Sequence, residues 1–252
     1  MCSSDLRDDI GKNIRKLFIS KFKGGEIISA DYNQIELRLM ADMSGEEELI
    51  EAYKRGDDIH ALTASQIFNV PINEVTASQR RDAKAVNFGI IYGISDYGLA
   101  QNIRTSRKRA KDYIASYFSR YPKVKEFSDK NIEFARKNGY IKTAFGRIRN
   151  IPEINASNFN TRSFAERVAM NMPLQGTASD VIKFAMINVF EELKGLKSQL
   201  ILQIHDELIV DVYPGEEDKV RKILKNCMED IYKNKVKLIV SINEGKSLFD
   251  CK

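Results

Sequence analysis

The sequence has no apolar run approaching the ~20 residues needed to cross a bilayer, and no apolar core of a leader peptide. The reading is a protein with no membrane partner. It also lacks internal repeats, low-complexity tracts and flexible linkers, which excludes a solenoid or a string of tethered modules. Cysteine is sparse: Cys2, Cys227 and Cys251 lie far apart, with no CxxC or zinc spacing. A disulfide framework and a zinc fold are thereby excluded, and a reducing compartment, the cytoplasm, is the expectation. Histidine is scarcer still, with two residues in 252. The net charge of +5 is compatible with a polyanionic partner but too small to require one. What is present is ordinary for a globular chain: 43% hydrophobic and 30% charged residues, enough to bury the core of one or two domains.

Strand-like segments sit at the two ends and helical ones in the middle. "EIISADYN" (26–33) is apolar and runs into "QIELRLMADM", whose apolar residues fall at helical spacing. Asn33 with Glu36 has capping-box spacing for that helix, and Thr76 with Gln79 for another reaching about Tyr92 and closed by Gly93. Helices are expected at 46–55, from a cap at Asp57 or Asp58 to about Phe68, and near 106–118, 123–138, 158–172, 176–194 and 216–232. Residues 140–150 read as a hairpin turning at Phe145-Gly146, and residues 236–242 as a last strand. Pro173 is expected to interrupt the helical pattern around it. The abrupt opening near Ile10–Phe18 and the "MCSSDL" start, which resembles a translated sequencing adapter, suggest that residues 1–6 are not native. The fold class is α+β, with a sheet built from both ends of the chain and a helical insertion between strand 26–33 and strand 199–204.

Three sets of residues carry chemistry. Asp31 ends the first strand, and Asp206 and Glu207 interrupt the apolar pair of "QIHDELIVDV". On neighbouring strands these carboxylates would repel unless a cation neutralised them. Mg²⁺ commonly takes one or two carboxylates plus substrate phosphates. Taken singly, Asp31 also reads as a helix cap and Asp206 as a turn residue. Next, Arg80, Lys84, Phe88 and Tyr92 recur every four residues along one helix, opposite Ala83, Val86 and Ile90. Like charges at i,i+4 cost a few tenths of a kcal/mol, a cost that a triphosphate would reverse. The two aromatic faces could receive a sugar and a base. A solvated basic edge beside core aromatics is the other reading. Finally, Arg167, Asn171 and Gln175 form a row of polar donors, suited to minor-groove acceptors or simply to water.

Taken together, these segments resemble family A DNA polymerases of the bacterial DNA polymerase I type. "DYNQIELRLMADMS", "RRDAKAVNFGIIYGIS" and "QIHDELIV" look like the three polymerase motifs, with "FGRIRNIPEI" and "AERVAMNMPLQGTASD" in the expected order between the second and third. The resemblance covers the chain from about Arg7. It implies a right-hand polymerase fold lacking the thumb, with an antiparallel palm sheet from residues 1–40 and 166–252 and mostly helical fingers from 41–165. It implies that Asp31 and Asp206, with the carbonyl of Tyr32, hold two Mg²⁺ ions for which Mn²⁺ can substitute, and that Glu207 is an auxiliary acid. Glu36 would block a ribose 2′-OH. Arg80 and Lys84 would bind the incoming triphosphate, with Lys84 the general acid for the leaving pyrophosphate. Phe88 would lie by the deoxyribose and Tyr92 near the templating base, with Gln34 and His60 also facing the nucleotide. Arg167, Asn171, Gln175 and His205 would contact primer and template.

The implied activity is extension of a primer 3′-OH with dNTPs on a DNA template, by a monomer. Nothing upstream of the first motif resembles the family's thumb, proofreading domain or 5′ nuclease. Arg7, a match to a family minor-groove arginine, adjoins the suspect start. The basic run Arg104, Arg107, Lys108, Arg109 and Lys111 could contribute phosphate contacts or be a solvated face. Two rival readings are an inactive nucleic-acid-binding remnant of a polymerase and a two-metal nuclease. The first has no need of the intact acids and Lys84, and the second has no need of Glu36 or the Arg80–Tyr92 stripe.

Overall fold

The computed structural model describes residues 13–251. Residues 1–6, Arg7 and the start of the first helical pattern lie outside the described residues. The chain divides into two compact units. The first comprises the chain through Ile35, Ala178–Lys233 and Lys237 onward, and the second comprises Glu36–Thr177 with Asn234–Val236.

The first unit is built on a four-stranded antiparallel sheet in the order β4-β5-β1-β6. Strand β1 is Glu26–Tyr32, β4 is Gln199–Ile204, β5 is Glu207–Val212 and β6 is Val240–Gly245. The inner strands are covered on both faces, which is why "EIISADY" and "ELIVDV" carry near-continuous apolar residues: Ile27, Ile28, Ala30, Leu208, Ile209 and Val210 are fully buried. β4 is an edge strand, and its residues alternate between exposed and half-buried. The last strand starts later than the apolar alternation predicts. Val236 and Leu238 are buried as a strand would bury them, but only Val240–Gly245 find ladder partners, in Ile27–Tyr32. Helix α9 (Glu217–Glu229) contributes Val220, Leu224 and Met228 to the core of this unit.

The second unit is helical. It holds α1 (Ile35–Ser44, from Glu36 on), α2 (Glu47–Arg55), α3 (Ile59–Phe68), α4 (Ala77–Ile91), α5 (Asp96–Asn102), α6 (Arg107–Arg120), α7 (Pro122–Asn138) and the hairpin β2 (Tyr140–Lys142) and β3 (Ile148–Asn150). Local chemistry places several of these. Asp58 caps α3 by accepting from the His60 and Ala61 N–H groups, and Thr76 and Gln79 form a reciprocal capping box on α4. α1 begins at Ile35 behind Gln34, which has φ +53°, and Asn33 Oδ1 accepts from the Ser241 hydroxyl at 3.0 Å.

The expected break at Pro173 is also absent. Phe159–Glu192 is one 34-residue helix, α8, that runs through Pro173 and carries the chain from the second unit into the first. One lost backbone hydrogen bond and a ring clash cost about 3 kcal/mol. They are offset by long buried faces on either side, Ala165, Ala169, Met172 and Leu174 before the boundary and Val181, Ile182, Ala185 and Val189 after it. Of the first set, Ala165, Ala169 and Met172 join Ala135, Ile141, Ile151 and Ile154 in the second unit's core. There the hairpin comes so near the helix that a Cβ on Gly176 would lie 2.6 Å from Thr143 Cγ2.

Candidate active site

In the first unit, the register of β1 and β5 sets Asp31 opposite Glu207, one residue beyond Asp206. The turn between β4 and β5 has two residues, His205 and Asp206, with Ile204 paired to Glu207. His205 has φ +54°, a positive value that a non-glycine residue rarely adopts. An exposed histidine held there is backbone strain at the tip of the acidic hairpin. The Tyr32 N–H donates to the Asp206 carbonyl at 3.2 Å. A strand residue presents its N–H and C=O to the same neighbour, so the Tyr32 carbonyl opens towards Asp206 as well. The Tyr32 ring is buried, and its hydroxyl is tied to the Met228 carbonyl at 2.6 Å.

Asp31, Tyr32, Asp206 and Glu207 thus share one end of the sheet, with Asp31 and Asp206 half-buried and Glu207 buried. Their donors are all oxygen, which fits a hard divalent cation and not zinc or copper. Among the described residues, no three acidic, histidine or cysteine side chains close into a preformed metal cage. An open pair of carboxylates is what an ion shared with substrate phosphates requires. Gln34 is half-buried just beyond this end of β1.

In the second unit, α4 presents Arg80, Lys84 and Tyr92 to solvent and Phe88 half-buried, while Ala83, Val86, Gly89 and Ile90 face inward. The stripe is therefore a surface, not core. Arg80 Nε donates to Asp58 Oδ2 at 2.6 Å, and the Lys84 ammonium lies 5.9 Å from the centre of the Phe88 ring. The Phe88 and Tyr92 rings stack with centroids 6.4 Å apart. Burial pushes the Asp58 carboxyl up, but the bonds from Arg80, Ala61 and His60 outweigh it and hold it below the usual carboxylate range. His60 is almost wholly buried against Phe88. Burial, Arg80 and Lys84 push its pKa down to about 4, although Asp58 pulls the other way.

The end of α4 is tied down twice. The Tyr92 hydroxyl donates to Glu36 Oε2 at 2.8 Å, and Asn171 Nδ2 donates to the Tyr92 carbonyl at 3.4 Å. Gly93, with φ +63°, lets the chain leave the helix beside α8, where a Cβ would meet Arg167 Cγ at 3.1 Å. Arg167 also lines a cleft of about 540 Å³ with Phe88, Tyr92, Ser95 and Asn102, and donates to the Ser163 hydroxyl. Gln175 is exposed two turns further along α8 than Arg167.

Within each unit the predicted residues are therefore close neighbours: the carboxylates and Tyr32 in the first; Glu36, Phe88, Tyr92, Arg167 and Asn171, and Arg80, Lys84 and His60, in the second. Sequence reasoning missed two neighbours. Asp58 was legible only as a cap, and its pairing with Arg80 spans two helices. Asn87, fully buried on the apolar side of α4, bridges Thr63 and His60. A lone amide among Ala83, Val86 and Ile90 was the signal that could have revealed it.

Residues 3–250 match the family described as DNA polymerase family A. DNA polymerase I of Caldicellulosiruptor bescii is 51% identical over 250 residues, which are 98% of this chain and 29% of the relative. DNA polymerase I of Lactococcus lactis subsp. lactis is 47% identical over 98% of this chain and 28% of its own length. The POL domain of Pol1 from M. smegmatis, solved in complex with DNA primer-template and dNTP, superposes with a TM-score of 0.92 at 42% identity, covering 98% of this chain and 44% of that one. The chain spans under a third of the length of these curated relatives, and on the match to nearly all of its residues it belongs to DNA polymerase family A.

Proposed function

We propose that this chain carries the catalytic and nucleotide-binding part of a template-directed DNA polymerase, which adds dNMP from dNTP to a primer 3′-OH and releases pyrophosphate. The observation that carries this reading is the register that brings Asp31 opposite Glu207 and beside Asp206, from segments far apart in the sequence. The M. smegmatis relative, which binds primer-template and dNTP, supports the choice of substrates. On this reading residues 1–40 and 166–252 form the palm and 41–165 the fingers, a division supported by the two compact units, which part near Ile35 and Thr177.

Asp31, Asp206 and the Tyr32 carbonyl would hold two Mg²⁺ ions, with Mn²⁺ able to substitute, and Glu207 would add negative charge beside them. Bound there, the metals supply Lewis acidity for the attacking 3′-OH and for the leaving pyrophosphate. Arg80 and Lys84 pair with the triphosphate, and the Lys84 ammonium gives its proton to the pyrophosphate oxygen as the bond to the α-phosphorus breaks. Glu36 excludes a 2′-OH, Phe88 lies under the deoxyribose, and Tyr92 stacks by the templating base. Gln34 and His60 face the nucleotide. Arg167, Asn171, Gln175 and His205 contact primer and template.

Primer extension by this chain with Mg²⁺, at increasing salt and with excess trap DNA, tests the reading. Weak, distributive synthesis is expected, because gripping few phosphates leaves the primer-template loosely held, with a correspondingly shallow dependence of its affinity on salt. DNA retention with no extension in either Mg²⁺ or Mn²⁺ would leave only a nucleic-acid-binding remnant.

A further inference from the structure

Asn87 sits on the inward side of α4 with no exposure to solvent. Both ends of its amide are engaged. Oδ1 accepts from the Thr63 hydroxyl at 3.1 Å, and Nδ2 lies 3.0 Å from His60 Nδ1. Thr63 and His60 are themselves buried, at 1% and 2% exposure, so each bond that fails leaves a buried polar atom without a partner. An amide nitrogen has only hydrogens to offer. With the Thr63 hydroxyl donating to Oδ1, Nδ1 of His60 must present its lone pair to Asn87, and the ring proton must sit on Nε2.

We infer that Asn87 is a positioning residue that holds His60 neutral with its proton on Nε2, so that His60 offers a nucleotide phosphate an uncharged N–H donor and not a cation. The nucleotide half of this inference rests on the assignment of His60, Arg80 and Lys84 to the incoming triphosphate. The surroundings agree with a neutral ring. Arg80 and Lys84 on α4 already place two cations beside it, and Asp58, the one carboxylate that favours an imidazolium, is bonded to Arg80 and to the first N–H groups of α3. The opposite tautomer would turn a lone pair at Nε2 towards phosphate oxygens, which are acceptors too.

The chain has two histidines, so long-range ¹H–¹⁵N correlation of the imidazoles in the full ¹⁵N-labelled chain can be assigned with His60→Gln. The expected result is a protonated Nε2 and an unprotonated Nδ1 for His60, unchanged from pH 8 to pH 5. Asn87→Asp places an acceptor at Nδ1 and should protonate that nitrogen at pH 7. An Nδ1–H tautomer or an imidazolium in the parent chain at pH 7 would overturn the positioning role, and needs no variant to fold. So would an unchanged His60 pattern in Asn87→Asp. Titration with dATP and Mg²⁺ tests the second half: the His60 Nε2–H signal should move, and dATP should bind at least tenfold more weakly to Asn87→Asp. If the tautomer is as stated but dATP leaves His60 unmoved, the nucleotide assignment fails and the role of Asn87 in setting the tautomer stands.

Discussion

The Tyr92 hydroxyl donates to Glu36 Oε2 at 2.8 Å, joining the last turn of α4 to the first turn of α1. The residue proposed to exclude a ribose is therefore held by the residue proposed to stack at the templating base. Glu36→Ala should raise the ratio of rNTP to dNTP kcat/KM by tenfold or more. Tyr92→Phe, which loosens the carboxylate without removing it, should raise it less. Steady-state incorporation of matched rNTP and dNTP checks both, and an unchanged ratio in Glu36→Ala would remove the gate.

Asp31→Asn and Asp206→Asn keep the shape of the hairpin tip and remove one negative charge each. Either should lower extension by about a thousandfold or more, with primer-template affinity changed less than about threefold. Groups that act as one unit are not additive, so the double variant should be little worse than either single one. Extension rates and fluorescence anisotropy on the same samples separate chemistry from binding, and near-parent turnover in either single variant would dismiss the carboxylate pair.

Phe88 has no hydroxyl and lies one helical turn from Lys84. A dNTP can turn its 3′-OH towards its own phosphates, and a dideoxynucleotide cannot. Phe88→Tyr should supply the missing donor. A hydrogen bond to a charged group contributes roughly 1.5–3 kcal/mol, so dideoxynucleotide incorporation should rise about tenfold to a hundredfold with dNTP use nearly constant. Single-nucleotide incorporation of ddNTP and dNTP by both proteins decides it. Unaltered discrimination would mean that Phe88 faces away from the sugar.

His60 titrates near 6.5 when unfolded and near 4 in the fold. Its folded pKa is depressed, so its contribution is complete above pH 6.5, declines as the unfolded chain takes up the proton, and is lost by about pH 4. The decline amounts to about 3 kcal/mol, at roughly 1.4 kcal/mol per pH unit. Urea unfolding at pH 7, 5.5 and 4.5 should show this slope in the parent chain and a flatter one in His60→Gln. Parallel curves would mean that His60 is not held neutral.

What the sequence determined by itself lies in contiguous segments. Asp31, Lys84 and Asp206 stand in runs whose order and spacing already name the family, and Thr76–Gln79, Asp58 and the Arg80–Tyr92 stripe were legible because caps and helical periods act over a few residues. Tertiary structure decided whatever depends on a partner distant in the chain. Gln34 is left-handed just before α1, and the Asn33 side chain accepts from Ser241, a partner 208 positions away. Pro173 ought to end a helix, but buried faces on both sides outweigh one missing hydrogen bond. Val236 and Leu238 alternate like a strand, but only the residues after them meet the free edge of β1. The bonds of Glu36 to Tyr92 and of Asn87 to His60 join residues 56 and 27 positions apart. Such pairs are set by helix packing, in which burial forces each polar atom to find whatever neighbour the fold brings to it, and no local pattern records which neighbour that is.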